Sequence, residues 1–197
     1  MKILGAIIAG GKSSRMGGDE KAFLRLAGKH IIDLVIGRFD QQVDGLVINA
    51  NGDPSRFAET GLAVVPDIIT TLTTPLAGLH AVLRFAGAAE FVITVPADTP
   101  FLPLDLADKL LETAETRGAA IARSAGRDHY IVGAWKTSLL PELERAITTE
   151  SLFRVKDWVR QVSAHVVTWT YVAYDPFFNV NTPEDLRAAE DIVRGQS

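Results

Sequence analysis

The sequence predicts an α/β protein with one open, mainly parallel sheet between two layers of helices. Three observations carry this expectation. Short stretches rich in Ile and Val recur along the chain, and several lack the apolar-polar alternation of a half-exposed strand, so they read as strands covered on both faces. Segments whose apolar residues repeat with helical spacing lie between them. The two kinds alternate, as they do where parallel strands are joined by crossover helices.

Taken in order, the first strand is Ile3 to Ile8, which stops at the glycines after Ala9. A helix over His30 to Phe39 leads to strands at Leu46 to Ile48 and Ala63 to Val65. A second helix, Gly78 to Phe85, precedes Phe91 to Val95, a continuous apolar run that reads as a central strand. Next come a helix over Leu104 to Arg117, strands at Ala119 to Ala122 and Tyr130 to Trp135, and helices at Leu139 to Ile147 and Leu152 to Val162. The last helix, Pro183 to Val193, has the clearest start signal. Thr182 can cap it, Pro183 suits its first turn, and Asp185 stands where a capping-box acid reaches back. The segment from Arg123 to Tyr174 is less regular, and its strand order does not follow from pattern.

Composition narrows the function. At 197 residues, with no internal repeat or linker, the chain is expected to form a single domain over 1–197. The absence of cysteine excludes a disulfide scaffold, a thiol nucleophile and cysteine-ligated zinc or iron-sulfur centres. With 20 basic against 24 acidic side chains, a broad nucleic-acid-binding face is not expected. No apolar run reaches the roughly 20 residues needed to cross a bilayer. The apolar start ends at once in glycines and basic residues, so it reads as a buried strand and not as a signal peptide. A cytoplasmic protein without membrane attachment is expected.

In an open α/β sheet, ligands bind beyond the carboxyl ends of the strands. The first such loop runs Ala9-Gly10-Gly11-Lys12-Ser13-Ser14-Arg15-Met16-Gly17-Gly18-Asp19-Glu20-Lys21. Its glycines let backbone N–H groups approach an anion closely. Lys12, Arg15, Lys21, Arg25 and Lys29 face only Asp19 and Glu20 over the same span, a basic island in an acidic chain. A phosphate site follows. It is not a P-loop, because Gly11-Lys12-Ser13 would need glycine at position 6, which is Ala6. The dinucleotide fingerprint also fails, because Lys12 stands where its next glycine belongs. Asp98 falls just past the Phe91 to Val95 strand, where a carboxylate can hold Mg2+ against phosphate oxygens.

The run IIAGGKSSRMGGDEKAFLRLAGK resembles the signature loop of nucleotidyltransferases, most closely the molybdenum cofactor guanylyltransferases of the MobA type. The likeness continues through VINAN (Val47 to Asn51), VPD (Val65 to Asp67), PLAGLHA (Pro75 to Ala81), VPADTPFLP (Val95 to Pro103) and FNVNTPEDL (Phe178 to Leu186). It implies a three-layer α/β/α, Rossmann-like nucleotidyltransferase fold. It also implies site roles. Ile8, Ala9 and Gly10 match the backbone that meets the nucleotide, and Gly11 joins Gly10 in holding its triphosphate. Arg15 and Lys21 match the cations on its phosphates, and Asn49, Asp67 and Gly78 match the base and ribose side. Asp98 matches the metal-bearing acid, and Asn179 and Asn181 match asparagines near the metal and the acceptor.

Two positions depart from the family pattern: Glu20 where an aspartate is usual, and Tyr130 where proline commonly follows the histidine. The four histidines lack metal-ligand spacing, and Trp135, Trp158 and Trp169 read as packing residues. The GxSxG nucleophile elbow is absent.

The resemblance implies Mg2+-dependent transfer of a guanylyl group from GTP to the phosphate of molybdopterin or molybdenum cofactor, with pyrophosphate leaving. Transient contact with molybdoenzyme maturation proteins would accompany delivery of the product. Cytidylyl transfer, transfer to a sugar or alcohol phosphate, and a non-catalytic nucleotide-binding homologue remain as alternatives at this level.

Overall fold

The computed structural model of the chain describes residues 1–10, 18–171 and 173–195. Strand β1 (Ile3–Ile8) is followed by a tight turn of helix at Gly18–Phe23 and a two-residue hairpin of β2 (Arg25–Leu26) and β3 (Lys29–His30). Helix α1 (Ile31–Phe39), strand β4 (Gly45–Asn49), strand β5 (Ala63–Val65) and helix α2 (Pro75–Phe85) come next. They lead to β6 (Phe91–Pro96), α3 (Leu106–Arg117) and the hairpin of β7 (Ala119–Ser124) and β8 (Arg127–Lys136). Helices α4 (Leu140–Thr148) and α5 (Val155–Gln161), strand β9 (His165–Thr168) and helix α6 (Pro183–Arg194) complete the order.

Among the described residues, seven strands form one sheet in the order β5-β4-β1-β6-β8-β7-β9. β1 pairs in parallel with β4 and β6, β4 with β5, and β7 with β9, whereas β8 runs antiparallel to both its neighbours. The mainly parallel sheet expected from sequence is therefore present. Its helices cover both faces. Ile7, Ile93 and Val95 pack with α1, α3 and α6, while Ala6, Ile8 and Val92 pack with α2, α4 and α5. Successive residues of β1 and β6 thus enter opposite cores, which is why neither strand alternates apolar with polar. Gly5 is the exception in β1, because a Cβ there would sit 2.8 Å from Leu46 Cδ1 and 2.9 Å from Val43 Cγ2.

Several details differ from the sequence reading. α2 begins at Pro75, three residues before the expected start, because Pro at the first helical position satisfies a place that needs no N–H donor. α5 begins at Val155 instead of Leu152. Strand β9 was not expected, and its His165-Val166-Val167-Thr168 run is a mostly exposed edge with no buried apolar signature. The antiparallel β8 extends the expected strand backwards to Arg127 through a two-residue turn, where Ala125 and Gly126 both have positive φ, as such hairpin turns require. The last helix follows its sequence signal. Thr182 Oγ1 accepts from the Asp185 N–H at 3.1 Å, and Asp185 Oδ2 accepts from the Thr182 N–H at 2.9 Å. No helix among the described residues is long and apolar enough to cross a membrane.

Candidate active site

β1 and β6 lie side by side in parallel, with Ile8 opposite Pro96, so their carboxyl ends open into the same space. The backbone stays tied just beyond them: the Ala97 N–H donates to Ile8 O at 3.2 Å, and the Ala9 N–H donates to Asn49 O at 2.8 Å. A cleft of about 410 Å³ opens there, bounded by Ile8 to Gly10, Lys21, Thr73 to Pro75, Pro96 to Asp98, Ile131 and Asn181. Such a crevice beyond parallel strands is the usual ligand position of open α/β sheets.

One end of the cleft is ionic. Lys21 sits in the turn Gly18–Phe23, whose Ala22 is buried in the core and holds the turn against the sheet. The Lys21 side chain is buried, and its Nζ donates to Asn181 Oδ1 at 2.9 Å. Asp98 follows the central strand, and its Oδ1 accepts from Asn179 Nδ2 at 2.8 Å. The same amide donates to Thr99 Oγ1 at 3.2 Å, and the Val180 N–H donates to Asp98 O at 2.9 Å. Burial raises the carboxyl of Asp98 above its usual value, while the Asn179 hydrogen bond and the nearby Lys21 charge oppose that rise.

A network of amides adjoins the cleft. Asn49 closes β4 and is buried, and its Nδ2 donates to Val65 O at 3.0 Å and to Asp67 Oδ1 at 2.9 Å. Asn51 Nδ2 donates to Asp67 Oδ2 at 2.8 Å, and Asn51 Oδ1 accepts from the Asp67 N–H at 2.9 Å. These bonds commit the Asn49 amino group, which leaves Oδ1 turned towards Gly78 and Gly10 without a hydrogen-bond partner among the described residues. A Cβ on Gly78 would stand 2.2 Å from that oxygen, so only glycine fits there. A buried acceptor without a protein partner is uncommon and marks this corner as one to explain.

Ile131 reaches the cleft through an irregularity in β8. Pairing with β7 runs from Ile121 opposite Gly133 to Ala122 opposite His129, leaving Tyr130, Ile131 and Val132 bulged out. Thr94 secures the bulge, with its Oγ1 donating to Ile131 O at 2.6 Å and accepting from Trp135 Nε1 at 2.9 Å. Bulges commonly re-aim side chains beside active sites.

Of the residues singled out from sequence, Ile8, Ala9, Gly10, Lys21, Asp98 and Asn181 line the cleft. Asn179 stands behind it on Asp98, and Asn49, Asp67 and Gly78 form the adjoining amide network. Gly11 and Arg15 lie outside the described residues. Thr73, Thr74, Ile131, Asn51 and Thr99 were not assigned roles from sequence. Asn51 and Thr99 sit inside conspicuous blocks, whereas the inward turn of Ile131 depends on a bulge that no pattern announces.

No group of three or more His, Asp or Glu capable of holding a metal occurs among the described residues. Asp98 still fits Mg2+, which uses one or two protein carboxylates together with waters and substrate phosphate oxygens. The donor set therefore suits an ion arriving with a triphosphate better than one held in a protein cage.

A model of the MobA-like NTP transferase domain matches residues 5–166. The chain is 42% identical over 195 residues to the molybdenum cofactor guanylyltransferase of Bradyrhizobium sp. (strain ORS 278), covering 96% of this chain and 92% of that protein. The solved structure of molybdopterin-guanine dinucleotide biosynthesis protein A from Archaeoglobus fulgidus superposes with a TM-score of 0.73 at 23% identity, covering 99% of this chain and all of that one. A 4-diphosphocytidyl-2C-methyl-D-erythritol synthase from Anaerococcus prevotii gives a TM-score of 0.76 at 15% identity, over 98% and 96% of the two chains. At these identities the structural likenesses speak for the fold alone.

Proposed function

This chain belongs to the MobA-like NTP transferase family, and from that premise we propose that it transfers the guanylyl group of GTP to the terminal phosphate of molybdopterin or molybdenum cofactor, acting as one domain over 1–197. The supporting observation is that Lys21 and Asp98 line one cleft at the ends of β1 and β6. An acceptor phosphate oxygen attacks the α-phosphorus, a new P–O bond forms, and the bond to the bridging oxygen of the leaving pyrophosphate breaks. The attacking phosphate is already ionised near neutral pH, so no strong general base is needed. Alignment and charge neutralisation carry the reaction.

In this reading Lys21 neutralises the phosphates, and Asn181 restrains its ammonium so that it meets them with little reorganisation. Ile8, Ala9 and Gly10 present backbone to the nucleotide, joined by Gly11 and Arg15 from the loop. Asn49, Asp67 and Gly78 serve the base and ribose, beside the buried Asn49 Oδ1 that has no partner among the described residues. Asp98 holds Mg2+, with Asn179 fixing its carboxylate. When bound, that ion supplies charge stabilisation on the phosphate oxygens. Cytoplasmic location and transient contact with molybdoenzyme maturation proteins belong to the same proposal.

The experiment is thermal denaturation with GTP, CTP, ATP and UTP in the presence of Mg2+, followed by pyrophosphate release upon addition of molybdopterin. GTP is expected to give the largest shift and to support release. A larger shift with CTP, or no release with any nucleotide, would overturn the assignment.

A further inference from the structure

The loop 175–181 works at both ends. At its far end Asn179 and Val180 hold Asp98, and Asn181 holds Lys21. At its near end Asp175 is tied to the sheet. Ser124, the last residue of β7, is fully buried, and its hydroxyl donates to Asp175 Oδ1 at 2.6 Å. The same carboxylate oxygen accepts from the Phe177 N–H at 2.9 Å. Ser124 Oγ also lies 2.7 Å from His129 Nε2 on β8. A hydroxyl has one proton to give, so with that proton on Asp175 the serine oxygen accepts from His129 Nε2–H, and the histidine tautomer is settled. The imidazole packs on Phe177 with ring centroids 4.9 Å apart, and Phe177 stands edge-on to Trp169 at 5.3 Å.

Ser, His and Asp together invite comparison with a hydrolytic triad, but the order of bonds excludes it. Here the carboxylate accepts the hydrogen bond of the serine hydroxyl directly, and the serine is out of reach of solvent. The cluster instead fixes the height of a loop. We propose that Asp175, Ser124 and His129 act as a positioning cluster for nucleotidyl transfer, setting the loop 175–181 so that Asn179 and Asn181 meet Asp98 and Lys21. The proposal rests on the functional reading above, since it concerns the alignment of that site.

Kinetics and hydrogen exchange test it together. Asp175→Ala is expected to lower kcat per folded molecule at least about 10-fold, with KM for GTP within about 3-fold, as when a contact acts mainly in the transition state. Asp175→Asn keeps an oxygen that accepts both hydrogen bonds and should restore most of the loss. Leu143→Ala, in the core on the opposite face of the sheet, should lower the melting temperature without changing kcat per folded molecule. In the unliganded protein, Asp175→Ala should speed exchange of the Val180 amide at least about 10-fold, while the amides of β6 keep their protection. Unchanged kcat in folded Asp175→Ala, or an unchanged Val180 exchange rate, would overturn the cluster's role. If Asp175→Ala does not fold, Ser124→Ala with the same two measurements decides. A parent protein that transfers no nucleotide would defeat the functional reading, while the exchange result would still decide whether Asp175 sets the loop, so the two failures are distinguishable.

Discussion

Asn181 accepts a hydrogen bond from the ammonium of Lys21 at 2.9 Å across 160 residues of sequence. This bond ties the turn Gly18–Phe23 to the residue just before the cap of α6. It also sets the direction of a buried cation before any phosphate is present.

Asn181→Ala is therefore expected to leave Lys21 misdirected. A hydrogen bond to a charged group contributes about 1.5–3 kcal/mol, so kcat/KM for GTP should fall on the order of 10- to 100-fold. Steady-state pyrophosphate release measures it. A variant within about 2-fold of the parent would show that the pair has no part in turnover.

Asp98 separates activity from stability. Asp98→Ala should remain folded and lose at least about 100-fold in transfer, as when an essential electrostatic contact is removed. Asp98→Asn should be equally inactive yet melt at a higher temperature than the parent at neutral pH without divalent ions. The sign follows from burial, which raises this carboxyl above 3.8. The folded state then pays for ionisation as pH climbs through the raised value, and the neutral amide avoids that cost. Below pH 3.8 the advantage should vanish. Melting curves across pH settle it, and equal melting temperatures at pH 7 would contradict it.

Gly78→Ala would drive a methyl group into Asn49 Oδ1, whose amino group cannot yield without releasing Asp67 and Val65. Overpacking of this kind costs about 1–3 kcal/mol. Calorimetry should show GTP affinity reduced roughly 10-fold or more, with a lower melting temperature. Unchanged affinity would remove Gly78 and Asn49 from the nucleotide side.

His129 predicts an acid-side loss of stability. Burial holds its imidazole below the usual 6.5, and the Arg127 charge adds to the fall, while Asp175 and Asp128 oppose it. Unfolded chains then bind the proton more readily, so stability decreases as pH drops from about 6.5 to the lowered folded value and is flat below it. His129→Gln should flatten that window in chemical denaturation. An identical pH slope would assign the loss to other groups.

Much of the frame was readable from residues alone. β1 and β6 announce themselves by unbroken apolar runs, because both of their faces are buried. The start of α6 is readable because a capping box is a local contact. β9 was missed, since a mostly exposed edge strand carries no such run. The strand of β8 is readable from Tyr130 to Trp135, but its antiparallel direction is not, because strand order in this region is decided by long-range packing. Within the site, Asp98 and the glycine loop are marked by position after strands. The fit of Gly78 against Asn49 and the inward turn of Ile131 arise only when distant elements meet. Arg15 and Gly11 lie outside the described residues, so their part rests on sequence.

The capping box of α6 has a consequence for heat response. Asp185 Oδ2 accepts from the Asn181 N–H as well as from that of Thr182, both at 2.9 Å. The first turn of α6 and the aim of the Lys21 partner therefore share one carboxylate oxygen. Helix ends fray well before a domain melts. Warming should silence turnover several degrees ahead of global unfolding, with the terminal helix acting as the enzyme's thermal fuse.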